Sequence, residues 1–213
     1  MKKSVLRICT KLLTVCALIA AVCLSGGVTS HAAGESELPV FNTLGGYGVN
    51  NILVSPDGSQ LFSYGMPYAE LTNIKSGIAK RLEELTNVSI TDATYSPDGE
   101  LLAVSTNDRY GVIHVYNAHS GKLANTFRLP TDEQTVTEVS FTNDSSALIA
   151  AARGAITVID ISTKKDIVKF DVSEFTSLLA HHPQTSDFAA IISSYDSNGR
   201  STTSLQIRSD KTG

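Results

Sequence analysis

Residues 95–105 read Tyr-Ser-Pro-Asp-Gly-Glu-Leu-Leu-Ala-Val-Ser, which is the end of one strand, a tight turn and a second strand. Pro97 fixes φ at the value that the second position of a type I turn requires, and Gly99 can adopt the left-handed conformation that closes the turn. The apolar run at 101–104 is typical of a strand that is covered on both faces. The stretch therefore predicts two strands joined by a short turn.

The same phrase recurs along the chain. Residues 54–62 repeat it closely, and weaker copies begin at Phe141 and His181, so that successive copies are separated by 41, 46 and 40 residues. A period of this length, with four short strands in each unit, is typical of β-propeller blades. A second phrase, a strand running into a polar turn, recurs in the same order. The two phrases together predict an all-β propeller of about four four-stranded blades, at about 47–85, 86–130, 131–172 and 173–213.

The repeat unit combines Ser-Pro-Asp-Gly, an apolar strand, Asn-Asp, and a strand that ends in Ser-Gly-Lys. It resembles the WD40-like and YVTN-like propeller repeats of bacterial secreted proteins, over nearly all of the chain from about Pro39 onward. It departs from true WD40 blades because the sequence has no Trp and no Gly-His pair opens a blade. The side-chain network that usually braces a WD40 blade is therefore not expected here.

The fourth repeat stops after its third strand, whereas an additional strand is predicted before the first blade, at 39–44. Because propellers avoid leaving a raw edge, this N-terminal strand could complete the last blade and close a ring of four. Two alternatives stay open. The chain could be the front part of a longer propeller, or a second copy could complete the ring, so the protein is expected to be a monomer or a ring-completing dimer.

The first 33 residues have the pattern of a secretory signal peptide. Four basic residues and no acid accompany an apolar run at 12–24, and small residues at 29–33 supply a cleavage point after Ala33 or, as second choice, after Ala32. The run is shorter than the roughly 20 apolar residues that a spanning helix needs. We therefore expect a secreted domain at 34–213, extracellular or periplasmic, without a stable membrane span; an uncleaved anchor is the alternative.

Removing this leader changes the chemistry of the chain. All three cysteines lie in it, so the mature protein would have no disulfide and no thiolate. Its four cationic residues and absence of acids mean that the formal net charge falls from −4 to −8 on cleavage. Nucleic-acid binding depends on clustered Lys and Arg, so nucleic acid is not an expected partner.

No pattern in the sequence indicates a catalytic, metal or cofactor site. His181 and His182 are adjacent, and neighbouring strand residues point to opposite faces, so both rings cannot easily bind one ion. His181 takes the position of Tyr95 and Phe141, which predicts a packed aromatic substitute. Residues 196–199 resemble the first half of a calcium loop, but Arg200 follows and no acid closes the loop. A hairpin turn explains these residues, and neither metal nor cofactor is predicted.

The predicted binding surface is a rim of loops. The irregular stretches at 65–70, 106–111 and 195–203 all join the second and third strands of a blade, so they should gather on one side of the propeller. Tyr and Arg are enriched at binding hot spots. The expected binding residues are Tyr68, Arg109, Tyr110, Tyr195 and Arg200.

These observations predict an exported, non-enzymatic propeller that binds a protein or peptide, as a scaffold in the cell envelope or outside the cell. A propeller-type hydrolase or lactonase is the rival from another class, although residues to hold its metal or cofactor are not found. The third interpretation is an incomplete N-terminal part of a larger propeller protein.

Overall fold

The computed structural model describes residues 48–107, 111–129, 135–172, 175–182 and 184–211, which form four antiparallel sheets. The first sheet contains β1 (Asn51–Val54), β2 (Gln60–Gly65), β3 (Tyr68–Asn73) and β4 (Ala79–Arg81), followed by a turn of 3-10 helix at Glu83–Leu85. The second contains β5 (Ile90–Tyr95), β6 (Leu101–Thr106), β7 (Val112–Asn117) and β8 (Lys122–Arg128).

The third sheet contains β9 (Val136–Phe141), β10 (Ala147–Ala152), β11 (Ala155–Asp160) and β12 (Asp166–Asp171). The fourth contains β13 (Phe175–His181), β14 (Asp187–Tyr195) and β15 (Ser201–Ser209). In each sheet the strands lie in chain order, which confirms the predicted all-β class of about four meandering blades. The leader at 1–33 and the predicted strand at 39–44 fall outside the described ranges. Within those ranges, no helix is long and apolar enough to cross a membrane.

The Ser-Pro-Asp-Gly phrase builds its turn from side-chain hydrogen bonds. Ser96 Oγ accepts the backbone N–H of Leu101 at 2.9 Å and donates to the Asp98 carboxylate, which also accepts the N–H of Glu100 at 3.0 Å. In the equivalent turn of the first sheet, hydrogen bonds from Ser55 and Ser59 hold the pKa of Asp57 at about 2. These aspartates therefore stabilise the turns through their side-chain hydrogen bonds.

Three hydrophobic cores separate the four sheets, one between each pair of neighbours. Alternate residues of a strand point to opposite faces. In β6, Leu102 and Val104 therefore join the core shared with the first sheet, while Ala103 joins the core shared with the third. Burial on both faces explains why this strand is an uninterrupted apolar run.

The first strands of the sheets, β1, β5, β9 and β13, lie side by side along the row and are called the inner strands here. One backbone hydrogen bond, between the residue before the second strand and the residue after the third, recurs in every repeat and aligns the repeats with one another. The N–H of Ile74, Ala118, Ile161 and Asp210 donates to the carbonyl of Ser59, Glu100, Ser146 and Ser186, respectively, at 2.7 to 3.0 Å. Residues of one repeat can therefore be matched with those of another.

Within the described residues, the row of four sheets does not close into a ring. The first and fourth sheets each bury one face against a neighbour, and large apolar side chains on their other faces stay exposed, among them Ile52 and Ile207. The described residues thus form the partial propeller that the sequence left as an alternative, and they do not form the self-closed ring.

Candidate interaction surfaces

Three of the five predicted rim residues are described, namely Tyr68, Tyr195 and Arg200, whereas Arg109 and Tyr110 lie outside the described ranges. The prediction that 65–70 is irregular is wrong, because only two residues separate β2 from β3 and Tyr68 already pairs with Gly65. The loop predicted at 195–203 is also shorter, since Tyr195 pairs with Ser201. Strand pairing therefore fixes the backbone at both tyrosines.

Tyr68 belongs to a preorganised cluster with Arg81 and Glu70. The Arg81 guanidinium carbon lies 3.7 Å from the centroid of the Tyr68 ring, and Arg81 Nη2 lies 3.6 Å from Glu70 Oε1. Ala69 and Leu71, which alternate with these residues in β3, fill the core toward the second sheet. The cluster therefore lies on the far face of the first sheet, where a cation–π contact orients the arginine.

Tyr195 and Arg200 flank the turn between β14 and β15. Asp196 Oδ1 accepts the backbone N–H groups of Asn198 and Arg200, both at 2.8 Å, and Gly199 has a φ of +74°. This geometry confirms the hairpin interpretation. The Asp196 carboxylate is held within the turn by these hydrogen bonds. Tyr68 lies on the first sheet, and Tyr195 and Arg200 lie on the fourth, so the structure places these residues at the two ends of the row.

The far face of the first sheet, called the first end face here, carries Ile52, Val54 and Leu61 beside the Tyr68 cluster. Ile52 is 65% exposed and Val54 is 54% exposed. Their equivalents in the second sheet, Ala93 and Tyr95, are 5% and 9% exposed because the first sheet covers them. Positions that are core in the second sheet are therefore surface in the first.

The far face of the fourth sheet, called the fourth end face here, carries Ile191, Leu205, Ile207 and Tyr195. Leu205 is 68% exposed and Ile207 is 71% exposed. These two residues pair with Ile191 and Ala189 across the sheet, whereas the alternate residues Ala190 and Ile192 fill the core toward the third sheet. Contiguous exposed apolar residues of this kind mark binding surfaces or edges that need a cover.

A buried polar network links the third and fourth sheets at the end of the fourth sheet that lies away from Tyr195. His181 Nε2 lies 3.0 Å from Asp210 Oδ2, and its Nδ1 lies 3.0 Å from Asn143 Oδ1. The two side chains of the His181–Asp210 pair are 7% and 5% exposed. His181 is therefore packed, as predicted from its position, and its two ring nitrogens also make hydrogen bonds to Asn143 and Asp210.

The same network borders a small cleft of about 180 Å³, lined by Asn143, Asp144, Gln184, Thr185, Ser186, Asp210 and Lys211. Asn143 Nδ2 donates to the carbonyl of Thr185 at 2.9 Å and so ties the two turns together. Among the described residues, Asp210 Oδ1 is buried without a hydrogen-bond partner. The cleft thus lies beside a buried carboxylate.

Two acidic residues occupy one repeat position on neighbouring inner strands, Asp92 on β5 and Glu138 on β9. The Asp92 carboxylate accepts the backbone N–H of Ala93 and of Val139, both at 2.8 Å. Burial raises the pKa of Asp92. Burial and the nearby Asp92 raise the pKa of Glu138 to about 7. Burial and the neighbouring carboxylate thus favour the protonated form of Glu138.

Comparison with known proteins decides the fold. No family model matches the chain, and no curated protein matches it in sequence. Among solved structures, the crystal structure of the RRP9 WD40 repeats matches with a TM-score of 0.57 and 15% sequence identity, over 76% of this chain and 51% of that one. The fold is WD40-like. The chain spans about half the length of that WD40 structure.

A WD40-like fold at this identity shows the architecture and leaves the ligand open. Propellers of this kind present rigid surfaces on which proteins commonly dock. In the described part of the chain, no group of three or more His, Cys, Asp and Glu side chains could hold a metal ion.

Sequence reasoning missed the Asp92–Glu138 pair and the partner of His181. The signal for the first was available, because Asp92 stands three residues before Tyr95 and Glu138 stands three residues before Phe141. The signal for the second was a departure from the repeat. Asp210 takes the place of Ile74, Ala118 and Ile161, so a charged residue replaces an apolar one at a core position.

Proposed function

We propose that this chain is an exported, non-enzymatic WD40-like scaffold that binds protein in the cell envelope or outside the cell. The observation that carries the proposal is the pair of end faces that no other described sheet covers. Each presents aliphatic side chains beside a tyrosine at strand positions that are core elsewhere in the same molecule. Protein interfaces have apolar centres enriched in aromatic residues and Arg.

The chemistry of the first end face supports a protein partner. Ile52 and Val54 offer an apolar centre, and the Tyr68–Arg81–Glu70 cluster beside them offers an aromatic ring and charges that are already oriented. An interface that is rigid before binding loses less conformational entropy when the partner docks. Charge argues against nucleic acid, since the chain without its leader has a formal charge of −8.

A crosslinking experiment in the expressing cell tests the binding role. A photo-crosslinking amino acid replaces Ile207 on the fourth end face in the full chain. The matched control places the same amino acid at Ile167, an exposed isoleucine on β12. This strand belongs to the third sheet, which has a neighbouring sheet on each face. We expect a protein adduct at 207 and none at 167. No adduct at 207, or the same adducts at both positions, would contradict the binding role.

Export rests on the leader pattern and needs its own test. The full chain and a version lacking residues 1–33 are expressed in a bacterial host, and the cytoplasm, envelope and medium are assayed separately. We expect the full chain outside the cytoplasm, shortened to begin near Gly34, and the leaderless version inside. A full chain that stays in the cytoplasm with its N-terminus intact would contradict export.

A further inference from the structure

We propose that the partner of the two end faces is a second copy of this chain, so that two copies close head to tail into one ring of eight sheets. The first end face of each copy would cover the fourth end face of the other. This inference deepens the proposed function, because it names the protein that these faces bind. It rests on what covers the equivalent residues inside the molecule.

The interface between the second and third sheets serves as the template. Ile113 and Val115 of the second sheet and Val139 and Phe141 of the third all belong to its core and are buried. In the fourth sheet, Leu205 and Ile207 take the positions of Ile113 and Val115, because they pair with the equivalent residues of the preceding strand.

The other half of the template is present in the first sheet. Ile52 and Val54 take the positions of Val139 and Phe141 on the inner strand. One chain therefore carries both sides of a blade-to-blade core, and neither side is covered within the described structure. By comparison with the template, the first end face should fit against the fourth end face.

The polar and charged residues around this core are few. On its described strands the fourth end face carries Asp187, at the start of β14, and polar residues that include Ser193 and Thr203, whose hydroxyls lie 3.3 Å apart, and Tyr195. On the first end face, Glu70 and Arg81 already neutralise each other. Asp187 pairs with Ser209 at the end of the fourth sheet away from Tyr195, so each face presents few charges to the other.

Two copies are enough to close the ring. The contact joins different faces, so each copy keeps one free face until a second contact closes the ring. Two chains of four sheets give eight, which lies within the range of about 4–8 blades that propellers use.

The test measures the solution mass of the protein that the host exports from the full chain, by light scattering on a sizing column. We expect twice the mass of one chain, at a protein concentration of tens of micromolar. Ile207→Asp and Ile52→Asp should each weaken dimerisation by at least about tenfold, because each buries an unpaired carboxylate. Ile167→Asp is the matched control and should leave the dimer intact.

Folding of the variants is checked separately, because both substituted residues are exposed in one chain and should tolerate Asp. Thermal melts of diluted protein should show one cooperative transition for every variant. Leu205→Asp provides a second probe of the fourth end face if Ile207→Asp does not fold. A wild-type monomer, an open series of larger species, or unchanged dimers in both face variants would overturn the proposal.

The crosslinking at 207 separates this proposal from the broader function. An adduct with the mass of two chains supports the ring of two copies. An adduct with a different protein overturns the ring and leaves protein binding in place. The absence of any adduct contradicts both.

Discussion

The carboxylate of Asp92, on the inner strand of the second sheet, accepts the backbone N–H of Val139 on the inner strand of the third sheet at 2.8 Å. Its other oxygen accepts the N–H of Ala93. A second bridge lies beside it, where Thr91 Oγ1 donates to the carbonyl of Val136 at 2.7 Å. Side chains of β5 thus provide polar links to the inner strand of the third sheet beside the apolar core that the two sheets share.

Replacing Asp92 with alanine should destabilise the fold by about 1–3 kcal/mol, because the N–H of Val139 would lose its partner in a buried strand. Urea denaturation measures the free energy of unfolding. Asp166→Ala removes an exposed carboxylate from the edge strand β12 and should change it by less than about 0.5 kcal/mol. Equal effects of the two substitutions would contradict the structural role of Asp92.

Glu138 should make stability depend on pH in the direction opposite to a salt-bridged acid. Its pKa rises from the ordinary 4.5 to about 7 in the folded protein. Between these values the folded state binds more protons than the unfolded state, so the free energy of unfolding falls as pH rises and levels off above about 7. Glutamine cannot ionise and avoids this loss.

Glu138→Gln should therefore melt a few degrees higher than the wild type at pH 8 and at nearly the same temperature at pH 5. Thermal melts at the two pH values measure the difference. Glu83→Gln, at an exposed position of the 3-10 turn, is the control and should show no such contrast. A shift of equal size at both pH values would mean that ionisation of Glu138 does not cause it.

The fold was predictable because two phrases repeat in one register. The Ser-Pro-Asp-Gly turn specifies its own geometry through Ser96 and Asp98, and the apolar run after it is what a strand covered on both faces requires. Closure was not predictable. Closure depends on which surface packs against Ile52 and Ile207. The apolar pattern of a strand is the same whether the surface that packs on it belongs to this chain or to another.

A turn glycine allows a direct test of whether the turn sequence determines the turn geometry. Gly99 has a φ of +76°, and a Cβ there would meet only Pro56 Cδ at 3.8 Å, an ordinary contact. Gly99→Ala should therefore destabilise by about 1 kcal/mol through backbone conformation alone. Glu100→Ala, at the next residue, is the control and should leave the urea midpoint nearly unchanged. If Gly99→Ala leaves the urea midpoint unchanged, the turn does not need its left-handed residue.

The candidate site was harder to predict, because its residues depend on contacts between repeats. The sequence predicts Tyr68 and Tyr195 in loops, yet both lie in paired strands. The connections beside them are shorter than the polar, Gly- and Pro-containing sequence suggests. Arg81 was not selected at all. Its contact with Tyr68 arises from pairing between β3 and β4, and the spacing in the sequence does not show it.

The His181–Asp210 pair gives the sharpest test of a departure from the repeat. Asp210→Ala should destabilise by about 1–3 kcal/mol, because it leaves His181 Nε2 buried without a partner. The double variant His181→Phe with Asp210→Ala restores the apolar types found at Phe141 and Ala118. A buried pair replaced by packed apolar residues is often neutral or stabilising, so the double variant should be at least as stable as the wild type. Urea denaturation of the wild type, both single variants and the double variant gives the coupling energy between the two residues. Additive losses in the double variant would show that each residue acts through other contacts and that the pair is not a unit.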